Sequence, residues 1–171
     1  MKRRFDELSE REILALAISL EEDDGRISGE FADGLRADFP ASAEVFEAMR
    51  REEADHRTRL LELYRARHGE HLPFIRRDDV KGFIARRPVW LARPLRLEAV
   101  RKQTATMELE TRRFYERAAS RATDVSVRAL LNDLAETERA HLQAASALEQ
   151  QHLTPAAEEA EAATARRIFL P

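Results

Sequence analysis

Two pairs of residues constrain this chain more than anything else in it. Glu53 stands three residues before His56, and the same spacing returns at Glu138 and His141. Residues three apart on an α-helix lie on one face. Both pairs fall inside stretches whose apolar residues recur at helical spacing: Val45, Phe46, Met49, Leu60, Leu63 and Tyr64 around the first, and Val127, Leu131, Leu134, Leu142, Ala145 and Leu148 around the second. A helix that carries a carboxylate and an imidazole on the face it buries must find them partners, and a metal ion shared between the two supplies one.

The flanking segments supply more helix. Ser9 with Glu12 reads as a capping box, and Leu8 with Ile13 as its hydrophobic staple. A first helix is expected from Glu10 to Ala37, with Ile13, Leu16, Ala17, Leu20, Ile27, Phe31 and Leu35 on one stripe. Pro40 is expected to end it, and Ser42 to cap a second helix from Ala43 to His68. A third helix is expected from Glu98 to Ala122, with Val100, Met107, Phe114 and Ala118 inward, and a fourth from Ser126 to His152. Thr154 and Pro155 read as the start of a short C-terminal helix to Arg167. Residues 69–97 differ in texture: Pro73, Pro88, Pro94, Trp90 and many arginines, with a short helix expected from Asp78 or Asp79 to Ala85. So long a connection suits a crossover between parallel neighbouring helices.

Sliding one half over the other shows why the pairs recur. An offset of 85 residues places Glu53 on Glu138, His56 on His141, Phe46 on Leu131 and Leu63 on Leu148. An offset of 87 places Ile13 on Val100, Leu20 on Met107 and Glu21 on Glu108. The chain is a duplicated helical hairpin, and the duplication yields six candidate ligands: Glu21, Glu53, His56, Glu108, Glu138 and His141. One Glu from each of two helices and a Glu-x-x-His from each of the other two is the donor set of di-iron and di-manganese carboxylate bundles. Four carboxylates neutralise two divalent cations; without them they repel one another in a shared core.

Composition removes other classes. The chain has no Cys, which excludes thiolate metal sites, iron–sulfur clusters and disulfides. A net charge of −3 gives no reason to expect nucleic acid as a partner. The basic start lacks a following apolar core, so no signal peptide is visible, and no stretch of about eighteen apolar residues is present to span a membrane.

Other positions are open at this stage. Glu22 adjoins Glu21 but points nearly away from the core stripe, so Glu21 is the expected ligand. Asp24 lies on the stripe itself and reads either as a seventh ligand or as an acid satisfied by a neighbouring arginine. Tyr115 reads as a hydrogen-bond donor to a ligand or as an ordinary core tyrosine. His68 and His71 read as surface residues, and Glu149 with His152 either as a solvated helix end or as a secondary metal site. The arginines between Arg76 and Arg101, with Phe74, Phe83 and Trp90, suit either anionic lipid or a crossover whose aromatics pack on the bundle.

On Glu21, the two Glu-x-x-His motifs and the run from Glu108 to Tyr115, the chain resembles the rubrerythrin and erythrin branch of the ferritin-like superfamily over about residues 8 to 153. The segments Glu21 to Arg26, Asp79 to Phe83 and Ala165 to Arg167 look closest to the N-terminal domain of bacterial membrane-bound ferritins. The resemblance implies an all-α, ferritin-like four-helix bundle. It also implies two iron ions, with manganese or zinc as alternative occupants, bound by Glu21, Glu53, His56, Glu108, Glu138 and His141. The implied activity is oxidation of Fe(II) by oxygen or peroxide, in iron homeostasis, export and peroxide defence; the alternative is a non-catalytic metal-sensing or dimerisation module. It further implies a homodimer, domain-swapped or closed, and a tail from residue 154 leading to a membrane iron-transporter domain, with this domain on the cytoplasmic side of the inner membrane. Two departures stand out: without Cys there is no rubredoxin domain, and Thr111 occupies a position where rubrerythrins carry an extra Glu.

Overall fold

Ser9 and Glu12 close the capping box: the Ser9 amide donates to Glu12 Oε2 at 2.9 Å, and the Glu12 amide donates to Ser9 Oγ at 3.3 Å. Two amides that a helix start leaves unpaired are thereby satisfied, and α1 runs from there over Glu10–Leu35. The computed structural model describes residues 2–86, 89 and 96–150, with side chains up to residue 143. Three further helices follow: α2 Pro40–His68, α3 Leu97–Arg121 and α4 Val125–Gln150. No strand occurs among the described residues.

Pro40 corrects one expectation. It begins α2 behind Phe39 and does not merely end α1; at the first helical position its missing N–H is one the helix leaves unpaired in any case. The short helix expected up to Ala85 is also corrected. Only a 3₁₀ turn forms, at Arg77–Asp79. The backbone then extends to pair with the N-terminal segment: the Arg3 amide donates to the Asp79 carbonyl at 2.8 Å and the Lys81 amide to the Arg3 carbonyl at 2.7 Å. The expected C-terminal helix lies outside the described residues.

Helix α1 packs along α2 and α3 along α4, and the two hairpins meet α1 against α3 and α2 against α4. The stripe expected on α1 is buried throughout, as are Phe46, Leu60 and Tyr64 of α2 and Val100, Met107, Phe114 and Ala118 of α3. On the α2 stripe Met49 and Leu63 are half-buried and Val45 is 37% exposed. Each large apolar side chain so withdrawn from water contributes about 1.5–3 kcal/mol. The core divides into two apolar layers. One joins Ile13 to Leu20, Leu60, Tyr64, Phe114 to Ala119 and Val127 to Leu134; the other joins Ile27, Phe31, Leu35, Phe46, Val100 and Met107. Between them lies a layer of buried acids and imidazole.

The crossover runs back along its own bundle. Val80 enters the first apolar layer and Val89 the second, while Phe83 meets Phe114 edge to face at 5.5 Å. Phe74 is 90% exposed, with the Arg76 guanidinium 5.8 Å from its ring. Trp90 lies outside the described residues. Phe5, ahead of α1, is buried against Phe114 and under the Arg117 guanidinium, which is 4.3 Å from its ring.

Candidate metal centre

The polar layer is assembled from all four helices of a single chain. Helix α1 brings Glu21, α2 brings Glu53 and His56, α3 brings Glu108, and α4 brings Glu138 and His141. The first five are buried, and the His141 side chain is 12% exposed. They form two overlapping groups: Glu21, Glu53, His56 and Glu138, then Glu53, Glu108, Glu138 and His141, with one donor atom per residue and all atoms of a group within 4.8 Å of one another. Glu53 and Glu138 belong to both. His56 Nδ1 lies 3.3 Å from Glu21 Oε2, 3.3 Å from Glu53 Oε2 and 3.6 Å from Glu138 Oε1. His141 Nδ1 lies 3.3 Å from Glu108 Oε2 and 3.8 Å from Glu138 Oε2. The two imidazoles are stacked, 6.0 Å apart and inclined by 17°.

The positions left open by the sequence are decided by their surroundings. The Glu22 side chain is 66% exposed and 3.5 Å from Arg57, so Glu21 is the one that faces the centre. Asp24 is buried and held by an arginine, Arg86 of the crossover. Tyr115 is both a core residue and a donor: its hydroxyl donates to Glu21 Oε1. His68 packs against Tyr64, and His71 is exposed with its carbonyl accepting from the Tyr64 hydroxyl at 2.8 Å. His152 lies outside the described residues, and so does Glu149 as a side chain.

Sequence reasoning missed two contributors. Glu52 Oε2 lies 2.5 Å from His141 Nε2; a second partner of this kind fixes which nitrogen of a ligating imidazole faces the metal. Its repeat equivalent is Thr137, so the duplication carried no signal for it. Arg86 was one arginine among many in the crossover. Only the presence of an acid on the core stripe at Asp24 announced that some cation had to come inward.

Without metal the layer holds protons. Burial, reinforced by the charge of Glu21, pushes the Glu53 carboxyl up to about 8. Burial and the neighbouring Glu108 push Glu138 well above the carboxylate range. Burial pulls His56 down, but Glu21 and Glu53 outweigh it and raise it to about 10; at His141, Glu108 likewise outweighs burial. Each is the response of an ionisable group placed in a dry site beside others.

The donor chemistry fits metal. Glu21 Oε2, Glu53 Oε2, His56 Nδ1, Glu108 Oε2, Glu138 Oε1 and His141 Nδ1 are all buried without a hydrogen-bond partner, one atom on each of the six residues. Buried polar atoms are ordinarily paired. Six unpaired atoms converging from four helices make a cage of oxygen and imidazole that suits iron, manganese or zinc.

Comparison with protein families matches the rubrerythrin family over residues 12–149. Neither curated proteins nor solved structures return a match.

Proposed function

The chain belongs to the rubrerythrin family, whose domains hold di-iron centres, and from that premise we propose that it is a ferroxidase-type domain. It binds two Fe(II) ions and oxidises them with peroxide or dioxygen. The carrying observation is the pair of four-residue groups that share Glu53 and Glu138. Two metal positions with two carboxylates common to both are the arrangement a two-metal, two-electron reaction needs.

Bound iron supplies one-electron steps and coordination positions open to an oxidant. The protein supplies the rest. Glu53 and Glu138 stand between the two positions and carry charge to both. Tyr115 donates to Oε1 of Glu21, which leaves Oε2 for the centre. Glu52 Oε2 faces His141 Nε2, and a proton kept on that nitrogen leaves Nδ1 as the lone-pair nitrogen. The protons held on Glu53, Glu138 and the imidazoles leave as metal enters, so binding tightens as pH rises. With peroxide the balance would close as two Fe(II) each lost one electron to the O–O bond and two protons completed two waters; with dioxygen the same two electrons and two protons would give hydrogen peroxide.

The test is to add Fe(II) aerobically, or with peroxide, and follow Fe(III) absorbance in the wild type, Glu53→Ala and His141→Ala. Oxidation by the wild type alone is expected, and equal rates in all three overturn the reading. Stoichiometric, stabilising metal uptake with no turnover favours the alternative, a metal-responsive module regulating an attached transporter. The same proposal includes a homodimer and a membrane-attached iron transporter, which light scattering and membrane fractionation test. No helix among the described residues is long and apolar enough to cross a membrane.

A further inference from the structure

Asp24 occupies the place of a ligand without the freedom of one. It follows Glu21 by three residues, so it shares the face of α1 that points inward, and it is 5% exposed. Its neighbour along the chain, Gly25, brings α1 close to α2 at Glu53: a Cβ there would lie 3.3 Å from Glu53 Cβ. A carboxylate so placed beside two metal positions is a ready seventh ligand. Yet it belongs to neither group of converging donors.

The reason is a fully occupied hydrogen-bond set. Arg86 Nε donates to Asp24 Oδ1 at 2.5 Å and Nη2 to Asp24 Oδ2 at 2.6 Å. Thr111 Oγ1 donates to Oδ2 at 2.9 Å and itself accepts from Arg86 Nη2 at 2.6 Å. The guanidinium is completed by Glu110 Oε2 at 2.7 Å from Nη1, with the Met107 carbonyl 3.4 Å from Nη2. The Arg86 side chain is 4% exposed although it comes from the crossover. The contrast with the ligands is direct. Each of the six leaves one buried atom unpaired, whereas neither Asp24 nor Arg86 leaves any. A planar fork that grips both oxygens of a carboxylate is a property of arginine that lysine lacks.

We propose that Arg86 and Thr111 lock Asp24 away from the metals, so that the α1–α3 side of the centre supplies no ligand beyond Glu21 and Glu108 while the crossover stays seated. The inference rests on the reading of the six residues as a metal centre. Arg86 and Thr111 are positioning residues in it, and the lock sets how many protein donors the metals receive.

Co(II) alone serves as the probe, because its visible spectrum reports the donor set and its anomalous scattering locates it. The wild type is expected to bind two Co(II), and crystals of that complex to show Asp24 still on Arg86. Arg86→Gln is expected to shift the Co(II) bands and to bring an Asp24 oxygen to about 2.1 Å from a metal. The double variant Arg86→Gln/Asp24→Asn is expected to return the spectrum to that of the wild type. An unshifted spectrum in Arg86→Gln overturns the lock, and so does a double variant as shifted as the single one, since a merely structural disturbance would persist. Should Arg86→Gln not fold, the loaded wild-type crystal decides, because Asp24 bound to a metal there overturns the lock outright. A wild type that takes up no Co(II) overturns the metal-centre reading, and the lock with it.

Discussion

Glu53→Gln is expected to stabilise the metal-free protein and to abolish its metal binding. Gln matches Glu in shape but carries no ionisable proton, so the substitution removes the electrostatic cost and little else. Burial and Glu21 push Glu53 up to about 8 from an ordinary 4.5. At pH 7 the unfolded chain therefore carries it ionised and the folded chain carries it protonated. The folded state binds the extra proton, so stability falls as pH rises between those two values. The deficit at pH 7 spans 7 − 4.5 = 2.5 units from the ordinary value, or on the order of 3 kcal/mol at about 1.4 kcal/mol per unit. At pH 5 the same subtraction leaves 0.5 units, under about 1 kcal/mol. For a chain of this size roughly 2–4 °C accompany each kcal/mol. Thermal melts followed by circular dichroism in a chelator should then give the variant an advantage of about 6–12 °C at pH 7 that shrinks to about 1–3 °C at pH 5. A Co(II) titration of the same sample should show both metal positions impaired, since Glu53 belongs to both groups. A variant no more stable than the wild type at pH 7, or one whose advantage is the same at both pH values, would refute the electrostatic account.

Glu52→Gln removes the carboxylate on His141 Nε2 and should weaken one of the two metal positions by roughly 10–100-fold while leaving the other, read as biphasic Co(II) uptake. Gly25→Ala should lower metal affinity, because its Cβ would stand 3.3 Å from Glu53 Cβ. Gly29→Ala should be neutral or stabilise by up to about 1 kcal/mol through helix propensity, since its Cβ meets only the Arg50 side chain, Cδ at 2.9 Å and Cγ at 3.8 Å, which can swing away; equal losses of Co(II) affinity in the two would contradict this. Glu12 is held down to about 2 by its hydrogen bonds to Arg3 and Ser9. A group depressed on folding stabilises above its ordinary pKa of 4.5, and that contribution is lost as pH falls from there to about 2. Glu12→Gln, which can still cap, should therefore melt lower than the wild type at pH 7, by no more than about 1 kcal/mol after solvent screening, and the difference should vanish near pH 2.

The helices, the duplication and the six facing side chains were legible because each is a matter of spacing along the chain. Helix periodicity sorted Glu21 from Glu22, and the repeat singled out Glu53 and Glu138. What was not legible came from contacts between segments that no period relates. Arg86 reaches Asp24 across 62 residues, and the seating of the crossover depends on Val80 pairing beside Arg3. Neither follows from a pattern in either segment alone. The short helix expected before Ala85 failed for the same reason: a backbone pairing with the N-terminal segment took the groups that a helix would have used. Pro40 was misread because a proline that can end one helix is equally suited to begin the next.

The duplication accounts for the ligands but not for what holds them. Glu21 and Glu108 stand at an offset of 87 residues, yet at that same offset Tyr115 falls on Ser28, which is buried and has no phenol to offer Glu108. Asp24 falls on Thr111, and in place of a second acid the two bond to each other. On the other helix pair Glu52 falls on Thr137, so the carboxylate that grips His141 has no counterpart of its kind beside His56. The donor sets of the two metal positions are therefore matched while their supports are not. One position has a tyrosine behind its solitary glutamate; the other has a half-exposed glutamate behind its imidazole. A carboxylate partner raises the basicity of the imidazole it binds, so the His141 position is expected to take up the first Co(II) in a titration. A symmetric di-metal centre would have required the repeat to extend to Tyr115 and Glu52, and at both positions the two halves of the chain differ.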